Sequence, residues 1–277
     1  MTDPYRPHRV AIAVAPNGGR RMKADHPAIP LTPAELARTA AECLEAGAAM
    51  IHVHVRRPDG RHLLDADAYR QATDAIREEV GDRLVIQITT EALGIYTPAE
   101  QIAVLKGVRP QAASLALREL VPDKAAEPAF AEALAWMKRE NVLPQIILYD
   151  PTEALRLSGM IRRGLVPWPD IPVLYVLGRY TVSQTSQPAD LLPFLGPDQP
   201  HFANWSVCAF GRYEAACVTA AALLGGHVRV GFENNLHLPD GNTAPSNAAL
   251  VATAAEAARG LGYDLCEAAE IRHSLTG

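Results

Sequence analysis

Two histidines separated by a single residue are the most specific chemical signal in the sequence. His52 and His54 lie in the apolar run Met50–Val55, which is typical of a buried β-strand. Side chains two residues apart on a strand point to the same side, so both imidazoles would face one ligand. A strand histidine can also serve only as a hydrogen-bonded interior residue, and the pair by itself leaves both interpretations open.

A glutamate near the C-terminus offers a third ligand. The run His227–Phe232 predicts a strand on which Arg229, Gly231 and Glu233 share one face, with Glu233 at its C-terminal end. Two neutral imidazoles and one carboxylate leave a coordination position open, which is typical of catalytic rather than structural zinc. The same ligand set also suits non-haem iron. We therefore predict one divalent metal ion, with zinc favoured, on the two histidines and this glutamate.

Other polar residues follow predicted strand ends and are candidates for substrate contact. Thr89 and Glu91 close the third predicted strand, and Arg118 and Glu119 close the fourth. Of these, we expect Thr89 and Glu119 to contact substrate. Arg229 would face the interior of the fold, where it either holds a substrate carboxylate or takes part in a buried ion pair.

These side chains can act together only in a fold that gathers strand ends in one place. Short β-branched or apolar runs recur at intervals of roughly 30 residues, each followed by an alanine-rich stretch with helical spacing. Eight strands alternating with eight helices match a closed (β/α)8 barrel of the α/β class better than an open doubly wound sheet. We predict a single TIM-barrel domain over residues 1–277. Its predicted strands are Val10–Ala15, Met50–Val55, Leu84–Thr89, Ala113–Leu117, Pro144–Tyr149, Val173–Leu177, Phe202–Ala209 and His227–Phe232.

The starts of two helices and the presence of a third can be predicted from the local sequence. Helices should begin after Thr32 and Thr97, because each threonine is followed by proline at the first helical position and by glutamate three residues on. The C-terminal stretch Glu267–Leu275 predicts a short extra helix that packs against the outside of the barrel.

Composition and charge indicate which class of partner the protein binds and in which cellular compartment it works. The chain has 277 residues, a net charge of −5 and no lysine or arginine block, so we expect small-molecule partners rather than nucleic acid or a membrane surface. Its 4 cysteines are widely spaced, which favours reduced thiols. The polar stretch Met1–Arg9 lacks the apolar core of a signal peptide. We expect a cytoplasmic protein.

Several of these motifs together resemble one known family, the zinc-dependent β-keto acid cleavage enzymes. The resemblance runs over nearly the whole chain, and the paired histidines and the closing strand are its most specific parts. The matching segments are 15–19, 26–27, 30–33, 46–48, 52–56, 59–60 and 225–233.

The resemblance implies a TIM barrel with zinc on the three predicted ligands and a homo-oligomer, often a tetramer, as the working form. It also implies a reaction in which a β-keto acid and the co-substrate acetyl-CoA give acetoacetate and a new acyl-CoA. Zinc would act as a Lewis acid for the developing enolate.

Two departures from the family pattern bear on mechanism and substrate. Where well-studied members have an aspartate that acts with the strand-eight arginine as the base, this catalytic position holds Asn234, whose amide cannot take up a proton. We therefore expect Glu119 or Glu91 to replace it. A glutamate that meets a substrate amino group in the family is here Arg20. Together with Arg118, it would favour a substrate with an additional anionic group.

Two other functions fit the predicted metal site. A zinc-dependent hydrolase or lyase could polarise a carbonyl compound without coenzyme A. A metal-binding barrel without catalysis would leave the open coordination position without a purpose. Consumption of a β-keto acid that depends on acetyl-CoA separates the predicted function from both alternatives.

Overall fold

Eight parallel strands close into a barrel within residues 9–276, the part of the chain that the computed structural model describes. Residues 1–8, on which the expectation about a targeting segment largely rests, lie outside this part, as does residue 277. In chain order, the strands are β1 (Ile12–Val14), β2 (Met50–Val53), β3 (Val55–Arg56), β4 (His62–Leu63), β5 (Val85–Thr89), β6 (Ala112–Ala116), β7 (Leu143–Leu148), β8 (Val173–Leu177), β9 (Trp205–Ala209) and β10 (His227–Val230).

Helices connect successive strands of the barrel. They are α1 (Pro33–Ala46), α2 (Ala66–Val80), α3 (Pro98–Val108), α4 (Leu117–Leu120), α5 (Glu127–Arg139), α6 (Pro151–Arg162), α7 (Glu214–Leu223), α8 (Asn247–Gly260) and α9 (Ala268–Thr276). The barrel order is β1-β10-β9-β8-β7-β6-β5-β2, and every pair in it is parallel. The TIM-barrel prediction is confirmed.

Side chains alternate along each strand between two regions, the core between the strands and the helices and the interior of the barrel. One face of each strand carries residues such as Ile12, Ile51 and Ile88, which pack outward against the helices in the main hydrophobic core. The other face points into the barrel and is apolar at the bottom, where Met50 and Leu143 meet. Above that layer the inward residues are mixed, because polar ones such as His52 and Arg229 line the same cavity as apolar ones such as Ile147 and Val176.

The local signals for helix starts are confirmed. Thr32 and Thr97 each accept a hydrogen bond from the backbone N–H of the glutamate three residues on, and each glutamate carboxylate accepts from the threonine N–H. Each pair satisfies backbone groups that the first helical turn leaves without partners.

Some predicted elements differ from the structure. The run Met50–Val55 is not one strand: β2 ends at Val53, and β3 leaves the barrel to pair with β4. The sixth crossover has no α-helix among its described residues and instead contains the 3-10 helix Pro188–Phe194, which includes Pro193. Proline lacks the N–H that an α-helix interior requires, which explains the difference.

The predicted C-terminal helix exists, but its position was predicted wrongly. Rather than packing on the outside of the barrel, α9 lies across the N-terminal ends of the strands. Its Ala268 and Ile271 join the apolar layer formed by the first residues of β2, β5, β6 and β7. The helix therefore closes the bottom of the barrel, opposite the catalytic face expected for this fold.

Within residues 9–276, no helix combines the length and the apolar character that crossing a lipid bilayer requires.

Candidate active site

Three potential metal ligands meet at the C-terminal end of the barrel. His52 lies on β2, and His54 and Glu233 lie in the segments that follow β2 and β10. His52 Nε2 lies 3.2 Å from His54 Nε2 and 3.7 Å from Glu233 Oε2, and His54 Nε2 lies 3.4 Å from that oxygen. Tetrahedral coordination at about 2.1 Å separates ligand atoms by roughly 3.4 Å. The three atoms therefore fit a single divalent ion.

Unpaired polar atoms at the same place support this fit. Glu233 Oε2 and His54 Nδ1 are buried and have no hydrogen-bond partner among the described residues. A buried carboxylate oxygen without a partner costs free energy, and a cation shared with the two imidazoles would remove that cost.

Hydrogen bonds across the barrel interior orient His52 for metal binding. Its Nδ1 donates to Gln87 Oε1 at 2.8 Å, Gln87 donates to Gln145 Oε1 at 3.2 Å, and Gln145 donates to Ser206 Oγ at 3.4 Å. Because an amide oxygen only accepts, the proton lies on Nδ1 and the Nε2 lone pair faces the site. Burial, reinforced by the charge of Arg229, lowers the pKa of His52 to about 3. The imidazole is therefore neutral, as a metal ligand must be.

Arg229 reaches the site from inside the barrel. Its Nη2 donates to Glu233 Oε1 at 3.2 Å and to Cys208 Sγ at 3.3 Å. Burial alone would raise the pKa of Glu233, but the neighbouring charge of Arg229 holds this pKa well below its usual range. The Nε and Nη1 atoms of Arg229 are buried without a hydrogen-bond partner within residues 9–276. Arg229 thus forms the ion pair that the sequence allowed and keeps donors for a substrate oxygen.

Glu233 lies in a turn rather than on a strand, which corrects the prediction that it shares a strand face with Arg229 and Gly231. Gly231 has a φ of 134°, and a Cβ there would lie 2.4 Å from Ala15 O. The N–H of Glu233 donates to the same carbonyl at 3.0 Å. Gly18, with a φ of 60°, passes so close that a Cβ would lie 2.7 Å from Glu233 Cγ. Both glycines are needed to seat this carboxylate beside the histidines.

The matching family model confirms the resemblance seen in the sequence. Residues 9–276 match the family described as beta-keto acid cleavage enzyme. The chain belongs to this family.

Curated relatives of this β-keto acid cleavage enzyme cover almost its entire length. The 3-keto-5-aminohexanoate cleavage enzyme of Fusobacterium nucleatum is 29% identical over 282 residues, which are 97% of this chain and 98% of that protein. The 3-oxoadipate:acetyl-CoA acetyltransferase of Cupriavidus necator is 28% identical, over 94% of this chain and 92% of its own. Among solved structures, ObcA with oxaloacetate has the same fold, with a TM-score of 0.71 at 18% identity over 90% of this chain and 67% of its own.

A cavity opens beside the three candidate metal ligands. Thr89, Glu91 and Arg179 are among its lining residues. Glu91 lies over the site, with Oε2 3.8 Å from His54 Nδ1 and Oε1 3.5 Å from Arg179 Nη2. Thr89 Oγ1 accepts a hydrogen bond from the N–H of Glu91 at 2.9 Å, which fixes the backbone that carries this carboxylate.

Glu119 lies behind the wall of the cavity, which corrects the expectation that it contacts substrate. Its Oε2 accepts hydrogen bonds from Ala92 N at 2.8 Å and from Gln101 Nε2 at 3.0 Å. Burial raises the pKa of Glu119 despite these two bonds. The side chain supports the loop after β5, and Glu91 is the carboxylate that faces the cavity.

Arg118 also differs from its expected position. Its Nε donates to Glu153 Oε1 at 2.6 Å, and its guanidinium lies 4.6 Å from the ring centre of Tyr149 and 4.7 Å from that of Tyr180. This charge is already paired and stacked outside the cavity lining, so it is not placed to bind substrate.

The two residues that depart from the family pattern lie in different surroundings. Asn234 is fully buried, and neither polar atom of its amide has a partner among the described residues. Arg20 is exposed at the edge of a second cavity, which Arg21 and Arg179 also line. Neither Arg21 nor Arg179 was predicted as a site residue from the sequence. Arg179 follows β8 by two residues, the position that singled out Glu91, and could have been found in the same way.

Proposed function

We propose that the chain catalyses the zinc-dependent reaction of a β-keto acid with acetyl-CoA to give acetoacetate and a new acyl-CoA. The bond between the keto carbon and the methylene that carries the carboxylate breaks, and this methylene bonds to the acetyl carbonyl carbon. The acyl group of the acid is transferred to the thiol of coenzyme A. The convergence of His52, His54 and Glu233 at the barrel mouth of a β-keto acid cleavage family member carries this proposal. The related 3-oxoadipate:acetyl-CoA acetyltransferase of Cupriavidus necator is named for acetyl-CoA, which supports the choice of co-substrate.

Zinc is the metal we propose for the three ligands. A set of two neutral imidazoles and one carboxylate suits zinc and leaves a position for substrate. When bound, the ion would polarise the keto oxygen of the substrate and favour loss of a neighbouring proton.

Arg229 and Thr89 are the proposed substrate-orienting groups. The buried Nε and Nη1 donors of Arg229 have no partner among residues 9–276, and they would bind a carboxylate or a developing oxyanion. Thr89 Oγ1 accepts from a backbone N–H, so its own proton is available to an oxygen in the cavity that it lines.

Glu91 is the proposed general base. It faces the cavity above His54, whereas the carboxylate of Glu119 is held by Ala92 and Gln101 behind the wall. We expect Glu91→Gln to lower kcat by a factor of about 100 or more, since general base catalysis contributes on the order of 10²–10⁴ in rate. Glu119→Gln, as the matched control, should reduce kcat far less. Equal losses in both variants would contradict the assignment of Glu91.

Asn234 allows a complementary test. The Asn234→Asp variant returns a carboxylate to the family position, and we expect it to restore part of the activity that Glu91→Gln loses. If Asn234→Asp restores nothing while binding zinc normally, this position does not replace the base in this chain.

Labelled acetyl-CoA tests the proposed function as a whole. With acetyl-CoA carrying ¹³C at the acetyl carbonyl, the label should appear at C3 of acetoacetate, and the acid's own acyl group should appear on coenzyme A. Consumption of the acid without transfer of label would instead support the zinc-dependent hydrolase or lyase, an alternative that Asn234 favours because the family base is missing.

We also propose that the enzyme is a cytoplasmic homo-oligomer, with a tetramer favoured. Its membership of the β-keto acid cleavage family and the exposed apolar side chains discussed below support an oligomer.

A further inference from the structure

A second cavity of about 360 Å³ extends the one above the metal ligands. Glu91, Arg179, Phe210 and Glu233 line both, so the two spaces form one continuous site. The second cavity is bounded by the turn after β1, residues 17–21. A substrate whose keto acid portion lies at the metal would extend its other end into this space.

Arg21 brings a positive charge into this second cavity without a direct counterion. Its Nη2 reaches the backbone oxygen of Asn234 at 3.5 Å, and within residues 9–276 it forms no ion pair shorter than 4.0 Å. The nearby Asp25 is exposed and accepts a hydrogen bond from Met22 N at 2.7 Å. Glu214 is also near, but burial raises its pKa to about 8, so it is largely uncharged at neutral pH. The charge of Glu233 also acts on Arg21, but within residues 9–276 no carboxylate forms a direct ion pair with it, so Arg21 is a partly buried cation without a directly bound anion.

Arg179 brings a second positive charge from the opposite side. Its side chain is only 12% exposed, its guanidinium lies 5.2 Å from the ring centre of Phe210, and its contact with Glu91 is a single 3.5 Å approach. This long contact leaves most of the guanidinium donors free for a ligand. Burial is the main reason that the pKa of Arg21 is lowered, and the charge of Arg179 lowers it further, which indicates that the two guanidiniums face a common space.

The turn that carries Arg21 is held in place from below. Arg56 Nε donates to Gly18 O at 3.0 Å, its Nη1 donates to Gly60 O at 2.6 Å, and its Nη2 bonds to the backbone oxygen of Arg21. A loop fixed by the two bonds at Gly18 and Arg21 presents its side chains with little loss of conformational entropy on binding. The cationic cavity is therefore a prearranged feature.

We infer that Arg21 and Arg179 form an anion-binding subsite, and that the preferred substrate is a β-keto acid carrying a second carboxylate at its far end. This inference rests on the proposed function, which it makes more specific. It places the second anion on Arg21 and Arg179 rather than on Arg118, whose charge Glu153 neutralises, or on the exposed Arg20. A planar carboxylate can bridge the two guanidiniums through paired N–H donors.

The phosphates of coenzyme A are the other anions that two arginines could bind. The position of this subsite favours the carboxylate, because the cavity shares Glu91 and Glu233 with the metal site and Arg179 is largely buried. The coenzyme phosphates are large, strongly hydrated groups that we expect nearer the solvent. The experiment below separates the two anions.

The kinetic test compares 3-oxoadipate, which has the second carboxylate, with 3-oxohexanoate, which has the same chain length and lacks it. We expect the zinc-loaded enzyme to favour 3-oxoadipate by a factor of 10 or more in kcat/KM, and Arg21→Met and Arg179→Met each to reduce that ratio at least tenfold. Arg57→Met, which removes an exposed arginine outside both cavities, should leave the ratio unchanged. Equal use of the two acids by the enzyme, or an unchanged ratio in both variants, would overturn the inference. The inference would also be overturned if the two variants kept the preference for 3-oxoadipate and showed a higher KM for acetyl-CoA, since the arginines would then bind coenzyme A.

A binding measurement keeps the subsite testable if the proposed reaction is wrong. Calorimetric titration of the zinc-loaded protein with adipate and with hexanoate needs no turnover. Tighter binding of adipate that is lost in Arg21→Met and Arg179→Met supports the subsite even where no acetoacetate forms. Equal affinities for the two acids, in a protein that does make acetoacetate, would leave the reaction standing and contradict the subsite.

Discussion

At the scale of single residues, the hydrogen bond from His52 to Gln87 decides how well the site can hold its metal. Gln87 fixes both the proton on Nδ1 and the plane of the ring, and it is itself held by Gln145. Outer partners of this kind commonly contribute a factor of 10–100 in metal affinity. Gln87 is itself buried in the barrel interior.

We predict that Gln87→Met lowers zinc affinity by roughly 10–100-fold, because Nδ1 of His52 loses its acceptor and the ring is no longer held. Competition with a chromogenic chelator measures this affinity directly. Gln71→Met, an exposed position on α2, is the matched control and should bind zinc as the unchanged protein does. Equal affinities for Gln87→Met and the control would show that this hydrogen bond has no part in metal binding.

At the scale of elements, the turn after β10 positions Glu233, the one proposed metal ligand from the second half of the described chain. Its conformation depends on Gly231, whose φ of 134° is costly for other residues. A side chain there would also collide with the carbonyl of Ala15 on the neighbouring segment. The turn and the metal site therefore depend on the same glycine.

We predict that Gly231→Ala destabilises the protein by roughly 2 kcal/mol or more and weakens zinc binding at least tenfold. Gly262→Ala is the control, since its φ is 84° but a Cβ there meets nothing within 4 Å. That variant should lose only about 1 kcal/mol, from backbone strain, and keep its zinc affinity. Urea unfolding and chelator competition give both quantities. Normal zinc binding in Gly231→Ala would mean that Glu233 does not need this turn.

Elements with strong local signals could be predicted from the sequence, whereas turns and loops could not. The spacing of His52 and His54 placed both on one face, and the capping threonines marked the starts of α1 and α3 correctly. Glu233 was correctly placed beside the histidines, although by a strand alternation that stops before it. The period of a strand does not describe the turn that follows.

The roles of Glu119 and of the arginines depend on tertiary contacts that no local pattern encodes. Arg118 has a position at a strand end like that of Arg179, yet Glu153 on α6 takes up its charge. Glu119 is drawn behind the wall by Gln101 and a backbone N–H. Sequence position relative to a strand end predicted which residues approach the barrel mouth, but not which way each side chain turns.

At the scale of the whole molecule, buried histidines make stability depend on pH. His62 is buried, its Nε2 donates to the backbone oxygen of Glu91 at 2.7 Å, and burial together with the neighbouring His54 lowers its pKa to about 3. An unfolded chain protonates histidine near pH 6.5. Between these values the unfolded state binds more protons than the folded state, so the free energy of unfolding falls as the pH falls.

We predict that protonation of His62 in the unfolded state lowers the free energy of unfolding by on the order of 2 kcal/mol as the pH falls from 6.5 to 5. His62→Gln keeps a side-chain donor but does not titrate, so its stability should depend less steeply on pH in this window. His201→Gln, at an exposed position, should keep the steep dependence. Urea titrations of chelator-treated protein at several pH values measure the slopes. Identical slopes for all three proteins would refute the predicted contribution of His62.

Exposed leucines at the end of α7 and just beyond α8 favour association between chains. Leu223, Leu224 and Leu261 are 54%, 52% and 46% exposed, and Leu261 approaches α7 at a small cavity that the buried Val218 and Ala222 also line. Scattered apolar residues are normal on protein surfaces, but a group of this kind is typical of an interface.

We predict that the protein is a tetramer in solution. The double variant with Leu223→Glu and Leu261→Glu should form a smaller assembly, because the two charges would be buried at the interface. Light scattering after gel filtration measures the mass. Leu155→Glu, on α6 with the same 46% exposure as Leu261, should leave the assembly intact. A tetramer unaffected by the double substitution would place the interface elsewhere, and a monomeric parent would contradict the proposed assembly.

The central claim is that one zinc ion on His52, His54 and Glu233 enables transfer between a β-keto acid and acetyl-CoA. The most direct test is to measure zinc content by elemental analysis and acetoacetate formation on the same samples of the parent protein and of His52→Ala. We predict about one zinc per chain and acetoacetate formation in the parent, with both lost together in the variant. Acetoacetate formed by zinc-free protein, or a variant that keeps its full zinc content, would contradict the claim.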